Sequence, residues 1–476
     1  MNLASLGALD LSALIHDRKV SCAEVMEATL SRIDRLNPKI NAVISLRDAD
    51  ALMDEARVCD VELAAGRSRG WLHGIPVAVK DLADTKGLVT TQGSPLFARH
   101  IPLEDDAHVA RMRADGALII GKTNTPEFGL GSHSYNPVFG VTRNPWDTSK
   151  TAGGSSGGAG AALAMRLVAV ADGSDMMGSL RNPAAFNNIV SLRPTFGRVP
   201  ALPSTDVYGP GLATDGPMGR SVADVAALFS TLAGYDPRAP QTLPGDGSEF
   251  RAVEPIEPEG LRIGWLGDLD GYLPFEPGIL DLCRDALNIF SDMGCVVEEA
   301  RPGFAMDRVW RSWTTLRHAV VASNLKGLHA DPAKSEKLKP EAIWEIENGL
   351  KLSASDVFAA STERTAWLRA MLRLFARYDY LVLPSAQVFP FPAEWTWPKE
   401  VAGRPMDTYH RWMEVVVPVS LLGLPTLALP AGFGGAGLPM GFQLIAPARA
   451  EKQLLALGAA YEAAIDWLDR VPDGAE

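Results

Sequence analysis

A run of glycine and serine inside the most apolar part of the chain constrains the fold more than any other feature. Residues 151–160 read TAGGSSGGAG, and we predict a helix over Ala159–Leu167 and then a strand over Val168–Ala171. An interdomain linker often has this composition, but linkers lie between domains and not in an apolar core. A glycine-rich turn that enters a helix gathers free backbone N–H groups at the positive end of the helix dipole. We therefore interpret this run as part of a functional site.

A second glycine-bearing turn is predicted at Asp172–Ser179, one helix and one strand after the first. A helix and the strand that follows it run in opposite directions, so both turns return to the same end of a sheet. Ser155 from the first turn and Ser179 from the second can then meet, but two hydroxyls still need a base. We assign this role to Lys80, which ends the apolar strand Gly74–Asp81, because burial lowers a lysine pKa and a neutral amine activates a serine. The residues alone leave open which serine is the nucleophile.

Two other motif matches in this part of the chain are weaker. Gly116–Thr123 fits the phosphate-loop pattern GxxxxGK[ST], but its middle residues are typical of a buried strand, and Pro126 blocks a helix that starts at Lys122. Gly153–Gly157 fits the GxSxG pattern of a nucleophile elbow, which needs an apolar strand before the serine. A loop precedes Ser155 here, so the elbow is kept as a minor alternative in which Ser155 is the nucleophile.

Charge, cysteine content and hydropathy exclude several classes of protein. The 476 residues include 45 Lys and Arg against 57 Asp and Glu, and the net charge of −12 argues against a nucleic-acid or anionic-membrane surface. Four scattered cysteines without CxxC spacing favour a reduced, cytoplasmic compartment over a disulfide framework or a zinc site. Asp10 interrupts any signal-peptide core, and no apolar run is long enough to predict a membrane span.

Several separated motifs agree in order and spacing with one enzyme family. They are the helical segment Leu11–Val43, GIPVAVKD at 74–81, GKTNTPEF at 121–128, NPW to GGSSGG over 144–158, SD to GSLRNP over 174–183, and GLPMGFQ at 437–443. Through these blocks the chain resembles the amidase signature family nearly end to end. The resemblance implies an α/β fold with a central, mixed and mostly parallel β-sheet covered by α-helices.

The same resemblance implies a Ser–cis-Ser–Lys triad. Ser179 would be the nucleophile that attacks an amide carbonyl, Ser155 in a cis peptide would relay the proton, and Lys80 would be the terminal base. An acyl-enzyme forms and water hydrolyses it, and neither a metal nor an organic cofactor is expected.

The family also implies an oxyanion hole and a border of the substrate site. The backbone N–H groups of Met176, Met177 and Gly178 are expected to hold the oxyanion. Family members usually have small residues in this turn, often Gly-Gly-Ser. A methionine at 177 tolerates a positive φ poorly, and we expect it to form a soft wall of the acyl pocket. The residues expected to border the substrate are Gly129, Leu130 and Gly131.

We expect one amidase domain over residues 1–476, in which four parts can be distinguished. These are N-terminal helices over 1–65, the signature core over 66–235, a variable substrate-entrance segment over 300–412, and a C-terminal return to the core sheet over 413–470. The segment over 300–412 holds seven of the eleven tryptophans. The last part is predicted to contain two strands around a glycine-rich turn and a closing helix over 450–467.

We expect an amidohydrolase that cleaves the C–N bond of a small-molecule amide, carbamate or anilide. The tryptophan density of 300–412 favours a hydrophobic or aromatic substrate, although helix packing explains these tryptophans equally well. Two other functions stay open. An amidotransferase subunit would pass ammonia to a tRNA-bound substrate, which the net charge disfavours. An inactive amidase-like binding protein is disfavoured by the presence of Lys80, Ser155 and Ser179 together. Neither nucleic acid nor membrane is an expected partner, and a homodimer is an open alternative.

Overall fold

Helices cover a central sheet in this protein, whose computed structural model describes residues 2–209, 211–466 and 470–475. The helices within these ranges are α1 (Ala8–His16), α2 (Cys22–Ile40), α3 (Ala49–Ala64), α4 (Ala107–Ala114), α5 (Gly157–Ala164), α6 (Arg181–Asn187), α7 (Val222–Leu232), α8 (Ile279–Asp292), α9 (Met306–His329), α10 (Pro332–Ser335), α11 (Pro340–Leu350), α12 (Ala354–Phe375), α13 (Val417–Ser420) and α14 (Glu451–Ala463). The strands are β1 (Val43–Ile44), β2 (Pro76–Lys80), β3 (Leu118–Thr123), β4 (Tyr135–Asn136), β5 (Gly140–Val141), β6 (Val170–Asp175), β7 (Val190–Arg193), β8 (Thr214–Gly219), β9 (Arg262–Trp265), β10 (Val296–Glu299), β11 (Tyr380–Pro384), β12 (Glu400–Val401), β13 (Arg404–Pro405), β14 (Thr426–Phe433) and β15 (Pro439–Ile445).

Eight strands form the main sheet in the order β10-β9-β11-β15-β14-β7-β8-β6. Strand β9 runs parallel to β10 and to β11, and the other five neighbouring pairs are antiparallel. The predicted mixed sheet covered by helices is therefore confirmed, but its mostly parallel character is wrong. One reason is the hairpin β14–β15 in the middle of the sheet, because a short turn joins only antiparallel neighbours.

A smaller sheet carries the strand that ends at Lys80. Strand β3 pairs in parallel with β2 and antiparallel with β1. The whole of β3 is buried, so the phosphate-loop match at Gly116–Thr123 is a strand and the turn before it, as the sequence favoured. The backbone N–H of Lys80 donates to Asp172 Oδ1 at 2.9 Å, and this bond joins the end of β2 to β6 of the main sheet.

Both glycine-bearing turns are shorter in the structure than the sequence predicts. Strand β6 continues through Asp175 because it pairs with β8 as far as Thr214, so only the end of the predicted turn Asp172–Ser179 is a turn. The helix predicted to begin at Ala159 already begins at Gly157. The closing helix predicted over 450–467 is α14, and residue 467 lies outside the described residues.

The tryptophan-rich segment is mainly helical, because it contains the long helices α9 and α12 with α11 between them in sequence. Trp313 and Trp367 are fully buried, and the indole N–H of Trp367 donates to the carbonyl of Pro418 at 2.8 Å. All four cysteines are free and buried. In the described part of the chain, no helix combines the length and the apolar character needed to cross a bilayer.

Candidate active site

A cavity of about 250 Å³ opens beside the turn that follows β6. The predicted site residues that line it are Gly129, Leu130, Gly131, Ser155, Met176, Met177 and Ser179. Lys80 lies behind Ser155, and Gly178 lies on the far side of the turn, so neither lines the cavity itself. The structure thus brings to one place residues that lie far apart in the chain.

Lys80 sits at the carboxyl end of β2, where its ammonium group is surrounded by hydroxyls. Its Nζ lies 2.8 Å from Ser155 Oγ, 2.8 Å from Ser156 Oγ and 2.9 Å from Ser174 Oγ. We call Lys80, Ser155, Ser156 and Ser174 the serine–lysine cluster. Sequence reasoning did not assign a role to Ser156 or Ser174, although both stand in the two turns that it singled out. A search for every hydroxyl in those turns would have found them.

Burial controls the charge of this lysine. The side chain is 1% exposed, and removal from water lowers the pKa of Lys80 to about 7, while Asp172, Asp215 and Asp175 act in the opposite direction. The amine is therefore neutral in a large fraction of molecules near neutral pH. The structure agrees here with the sequence, which predicted a lysine with a lowered pKa from its apolar strand.

A buried histidine, His108, lies next to Asp172, whose carboxylate accepts the backbone N–H of Lys80 at the end of β2. His108 of α4 points Nε2 at Asp172 Oδ2, 3.2 Å away, and Nδ1 at Asp215 Oδ2, 3.8 Å away. Burial opposes protonation, but Asp215 and Asp172 raise the pKa of His108 to about 9, so the imidazole is a cation at neutral pH. This cation offsets the charge of Asp172, which otherwise raises the pKa of Lys80. Sequence reasoning missed His108 because no motif marks it.

The first turn holds Ser155 against the second. The Gly154–Ser155 peptide bond is cis, as the family resemblance implied. Gly154 packs so tightly that a Cβ atom there would lie 2.7 Å from the backbone nitrogen of His133. The backbone N–H of Ser156 donates to the carbonyl of Ser179 at 3.2 Å, which ties the two turns together. Both serines of the predicted pair therefore face one cavity.

The turn from Met176 to Ser179 is braced by a buried ion pair. The carboxylate of Asp175 accepts from the backbone N–H groups of Gly178 at 2.8 Å and Leu180 at 3.2 Å. It also accepts from Nε and Nη2 of Arg181, each at 2.9 Å. Burial would raise the pKa of Asp175, but the Arg181 guanidinium lowers it well below its ordinary value. The turn is thus fixed by a charge on its inner side.

This brace corrects two expectations about the oxyanion hole. The N–H of Gly178 points at Asp175 and is not free for a substrate, so Gly178 is removed from the set of donors. Gly178 has φ 80°, whereas neither Met176 nor Met177 has a positive φ, so the expected strain at Met177 does not arise. Within the described residues, the backbone N–H groups of Met176, Met177 and Ser179 have no hydrogen-bond partner.

Helix α9 forms the opposite side of the cavity. Five of its side chains line the space, and we call them the helical wall: Arg317, Val320, Val321, Asn324 and Leu325. None of the seven tryptophans between 310 and 412 lines the cavity, and all seven belong to the described residues. Trp310 and Trp344 instead pack edge-on against the His410 ring, with ring centroids 5.2 and 5.8 Å away. Helix packing thus explains the four tryptophans of α9, α11 and α12, whereas Trp395 and Trp397 lie outside the helices.

The Amidase family model matches residues 24–455 of this chain. The chain belongs to the amidase signature family. The acylamidase of Rhodococcus erythropolis is 32% identical over 99% of this chain and 98% of its own length. One subunit of the glutamyl-tRNA(Gln) amidotransferase of Acidothermus cellulolyticus is 33% identical over 96% of this chain and 94% of its own length. The crystal structure of a bacterial aryl acylamidase of the amidase signature family matches with a TM-score of 0.92, at 27% identity and 98% coverage of both chains. The predicted α/β fold with a central mixed sheet and the prediction of an amide-cleaving hydrolase are thereby confirmed.

Proposed function

We propose that this hydrolase cleaves small, mainly apolar amides through an acyl-enzyme on Ser179. The observation that carries the proposal is the buried Lys80, whose Nζ lies 2.8 Å from Ser155 Oγ beside the cavity that Ser179 lines. A lysine with a pKa of about 7 supplies a proton acceptor at neutral pH, and Ser155 connects it to that cavity.

The reaction proceeds in two halves. Ser179 Oγ attacks the amide carbonyl carbon while its proton passes to Ser155, whose own proton passes to Lys80. Collapse of the tetrahedral intermediate breaks the C–N bond, and the proton returns along the same path to the leaving amine. Water then attacks the acyl-enzyme ester, again with Lys80 as base, and this step releases the carboxylic acid and restores Ser179.

Backbone donors of the second turn stabilise the oxyanion in this scheme. The N–H groups of Met176, Met177 and Ser179 are the donors, since that of Gly178 is bonded to Asp175. Losing one oxyanion donor typically slows acyl transfer about 10²- to 10³-fold. Asp175 and Arg181 act through the turn and not on the substrate, so they are positioning residues.

The lining of the cavity supports an apolar substrate body. Apolar side chains that line it are Leu82, Phe128, Leu130, Met176, Met177, Val320, Val321, Leu325 and Met413. The similarity to an acylamidase and to an aryl acylamidase supports acyl amides and aryl amides as the first compounds to test. Neither a metal nor an organic cofactor takes part in the proposed steps.

The similarity to a glutamyl-tRNA(Gln) amidotransferase favours a second candidate, in which the same site releases ammonia for transfer to a tRNA-bound substrate. Glutamine hydrolysis by the isolated chain, or only with a partner protein, would support this candidate. Turnover of aryl amides by the isolated chain without glutamine hydrolysis would support the small-molecule amidase.

The test is a panel of acetanilides, benzamides and glutamine with the wild type and two single variants. We expect wild-type turnover of aryl amides, no turnover by Ser179→Ala, and a slow residual reaction by Ser155→Ala. Turnover by Ser179→Ala together with an inactive Ser155→Ala would instead support the nucleophile-elbow alternative. An inactive wild type that a serine-directed fluorophosphonate fails to label would support the inactive binding protein.

A further inference from the structure

One side chain of the helical wall is a buried cation. Arg317 lines the cavity together with Met176 and Ser179, yet its side chain is only 3% exposed. An arginine cannot lose its charge in a protein, so its N–H groups must find acceptors within the fold or in a ligand. The partners of this guanidinium therefore indicate what the cavity is built to receive.

The guanidinium has more donors than the protein satisfies. Nε donates to Glu345 Oε1 at 2.6 Å, and Nη2 donates to the Tyr409 hydroxyl at 2.6 Å. Nη1 carries two N–H groups, and its one partner among the described residues is Met176 Sδ, 3.3 Å away. A thioether is a weak acceptor, and Met176 lines the cavity itself. Nη1 is thus the nitrogen left for a stronger acceptor from a substrate.

The charges around Arg317 decide which acceptor fits. Burial would raise the pKa of Glu345, but Arg317 and His318 lower it below its ordinary value, so Glu345 is an anion beside the guanidinium. Burial lowers the pKa of His410 to about 3 and raises that of Tyr409, so both are neutral at pH 7. The guanidinium is therefore already paired with one carboxylate. A substrate carboxylate would put a second anion next to it in a buried site, which is unfavourable.

We propose that Arg317 Nη1 binds a neutral carbonyl oxygen of the substrate, other than the carbonyl of the amide that is cleaved. The oxygen takes the place at Nη1 that the Met176 thioether now holds. Together with the apolar side chains of the cavity, this defines the substrate class as an amide with an apolar body and one additional ketone, ester or amide carbonyl. The inference rests on the proposed function, because it concerns the substrate of the same cavity.

The test compares substrates that differ in one group. One series is acetamides of para-substituted benzylamines, with the group on the amine part, and the other is para-substituted phenylacetamides, with the group on the acyl part. In both series a methylene separates the ring from the amide, so the group changes the reactivity of the amide little. In each series the group is acetyl, isopropyl or carboxylate. We expect the acetyl compound to exceed the isopropyl compound about 10- to 100-fold in kcat/KM in one series, which is the usual effect of a hydrogen bond to a charged group. The carboxylate compound is expected to react no faster than the isopropyl compound.

Variants assign this preference to Arg317. The double variant Arg317→Met with Glu345→Gln removes both charges and avoids an unpaired buried carboxylate, and we expect it to lose the acetyl preference. The matched control is Arg308→Met with Glu363→Gln, an exposed pair that also involves α9, with Nε and Oε2 2.7 Å apart. This control should keep the preference. Arg317→Lys is the second test if the double variant fails to fold by circular dichroism, since lysine keeps the charge without the guanidinium geometry and should reduce the preference.

Three results would overturn the inference. They are equal kcat/KM for acetyl and isopropyl compounds in both series, a faster reaction of the carboxylate compound, and an acetyl preference that survives in a folded Arg317 variant. A wrong proposed function would give a different result. The isopropyl compounds would then also resist hydrolysis, or Ser179→Ala would still hydrolyse them.

Discussion

The serine–lysine cluster and the helical wall meet the same cavity but are held in different ways. The cluster stands on strand ends and tight turns, and the neighbouring turn Met176–Ser179 is held by the Asp175–Arg181 ion pair. The helical wall is one face of the long helix α9, held by packing against neighbouring helices and by the ion pair of Arg317 with Glu345. The groups proposed to react lie on short segments that are held by hydrogen bonds. The groups proposed to select the substrate lie on a packed helix.

This difference separates two kinds of mutational effect. A change in the cluster or its turns should slow hydrolysis of every amide, because the reacting atoms are common to all substrates. A change in the wall should alter the ratio between substrates and leave the reaction of the smallest amide in place. Four experiments, in order of decreasing expected effect, test this division.

The largest effect is expected from Lys80→Met, which removes the proposed base but keeps an apolar side chain of similar length. We expect kcat to fall about 10²- to 10⁴-fold for every amide, the usual contribution of general base catalysis. Steady-state kinetics on a small and a large amide measures it. Lys122→Met is the matched control, because Lys122 is a buried lysine on the adjacent strand whose Nζ contacts Thr85 Oγ1 at 2.8 Å. Equal losses in both folded variants would contradict a special role of Lys80.

A smaller loss is expected from Gly178→Ala, which disturbs the oxyanion donors through the turn. Gly178 has φ 80°, which strains any other residue, and a Cβ atom there would lie 2.4 Å from Asn182 Oδ1, so the turn or the Asn182 side chain must shift. We expect about a 10²-fold loss of kcat with little change in KM, because the donors act mainly in the transition state. Gly435→Ala, where a Cβ atom meets open space, should leave the kinetics unchanged. A change in KM alone would argue against an oxyanion role.

The pH dependence gives the next effect in size. Activity should fall about tenfold per unit below pH 7, because protonation of Lys80, with its pKa of about 7, removes the base. His108→Gln removes the cation that offsets Asp172, so the pKa of Lys80 rises and the acid limb of kcat/KM moves to higher pH. The exposed His100, 4.0 Å from Asp84, provides the control His100→Gln, which should leave the limb in place. A limb that stays fixed or moves to lower pH in His108→Gln would contradict this electrostatic role.

The smallest effect is expected from Leu325→Ala in the helical wall. Shortening this side chain enlarges the cavity, so bulky amides should gain relative to small ones by less than about tenfold. The kcat for the smallest amide that is turned over should stay near the wild-type value. A loss of kcat as large as that of Lys80→Met would show that the helical wall takes part in the chemistry. It would contradict the proposed separation of the groups that react from the groups that select the substrate.

The residues of the candidate site could be predicted from the sequence because they stand in short motifs whose local geometry follows from residue type. Glycine and serine mark the two turns, and an apolar strand that ends in Lys80 marks a buried amine. The family resemblance led us to expect oxyanion donors in the second turn and to include Gly178, whose N–H the structure shows bonded to Asp175.

Other features could not be predicted because they depend on distant parts of the chain. His108 lies 64 residues before Asp172, and no local pattern signals their contact. Arg317, Glu345 and Tyr409 come from three separate segments. The parallel or antiparallel sense of the central strands depends on which distant strands become neighbours, and tryptophan density alone does not tell a binding surface from a packed helix.

The position of a trapped acyl group distinguishes Ser179 from Ser155 as the nucleophile. The enzyme is mixed with an activated aryl acyl substrate, quenched in acid within the first turnover, digested and sequenced by mass spectrometry. We expect an acyl mass increment on Ser179, its absence from Ser179→Ala, and its slower formation in Ser155→Ala. An acyl group on Ser155 that persists in Ser179→Ala would show that Ser179 is not the nucleophile.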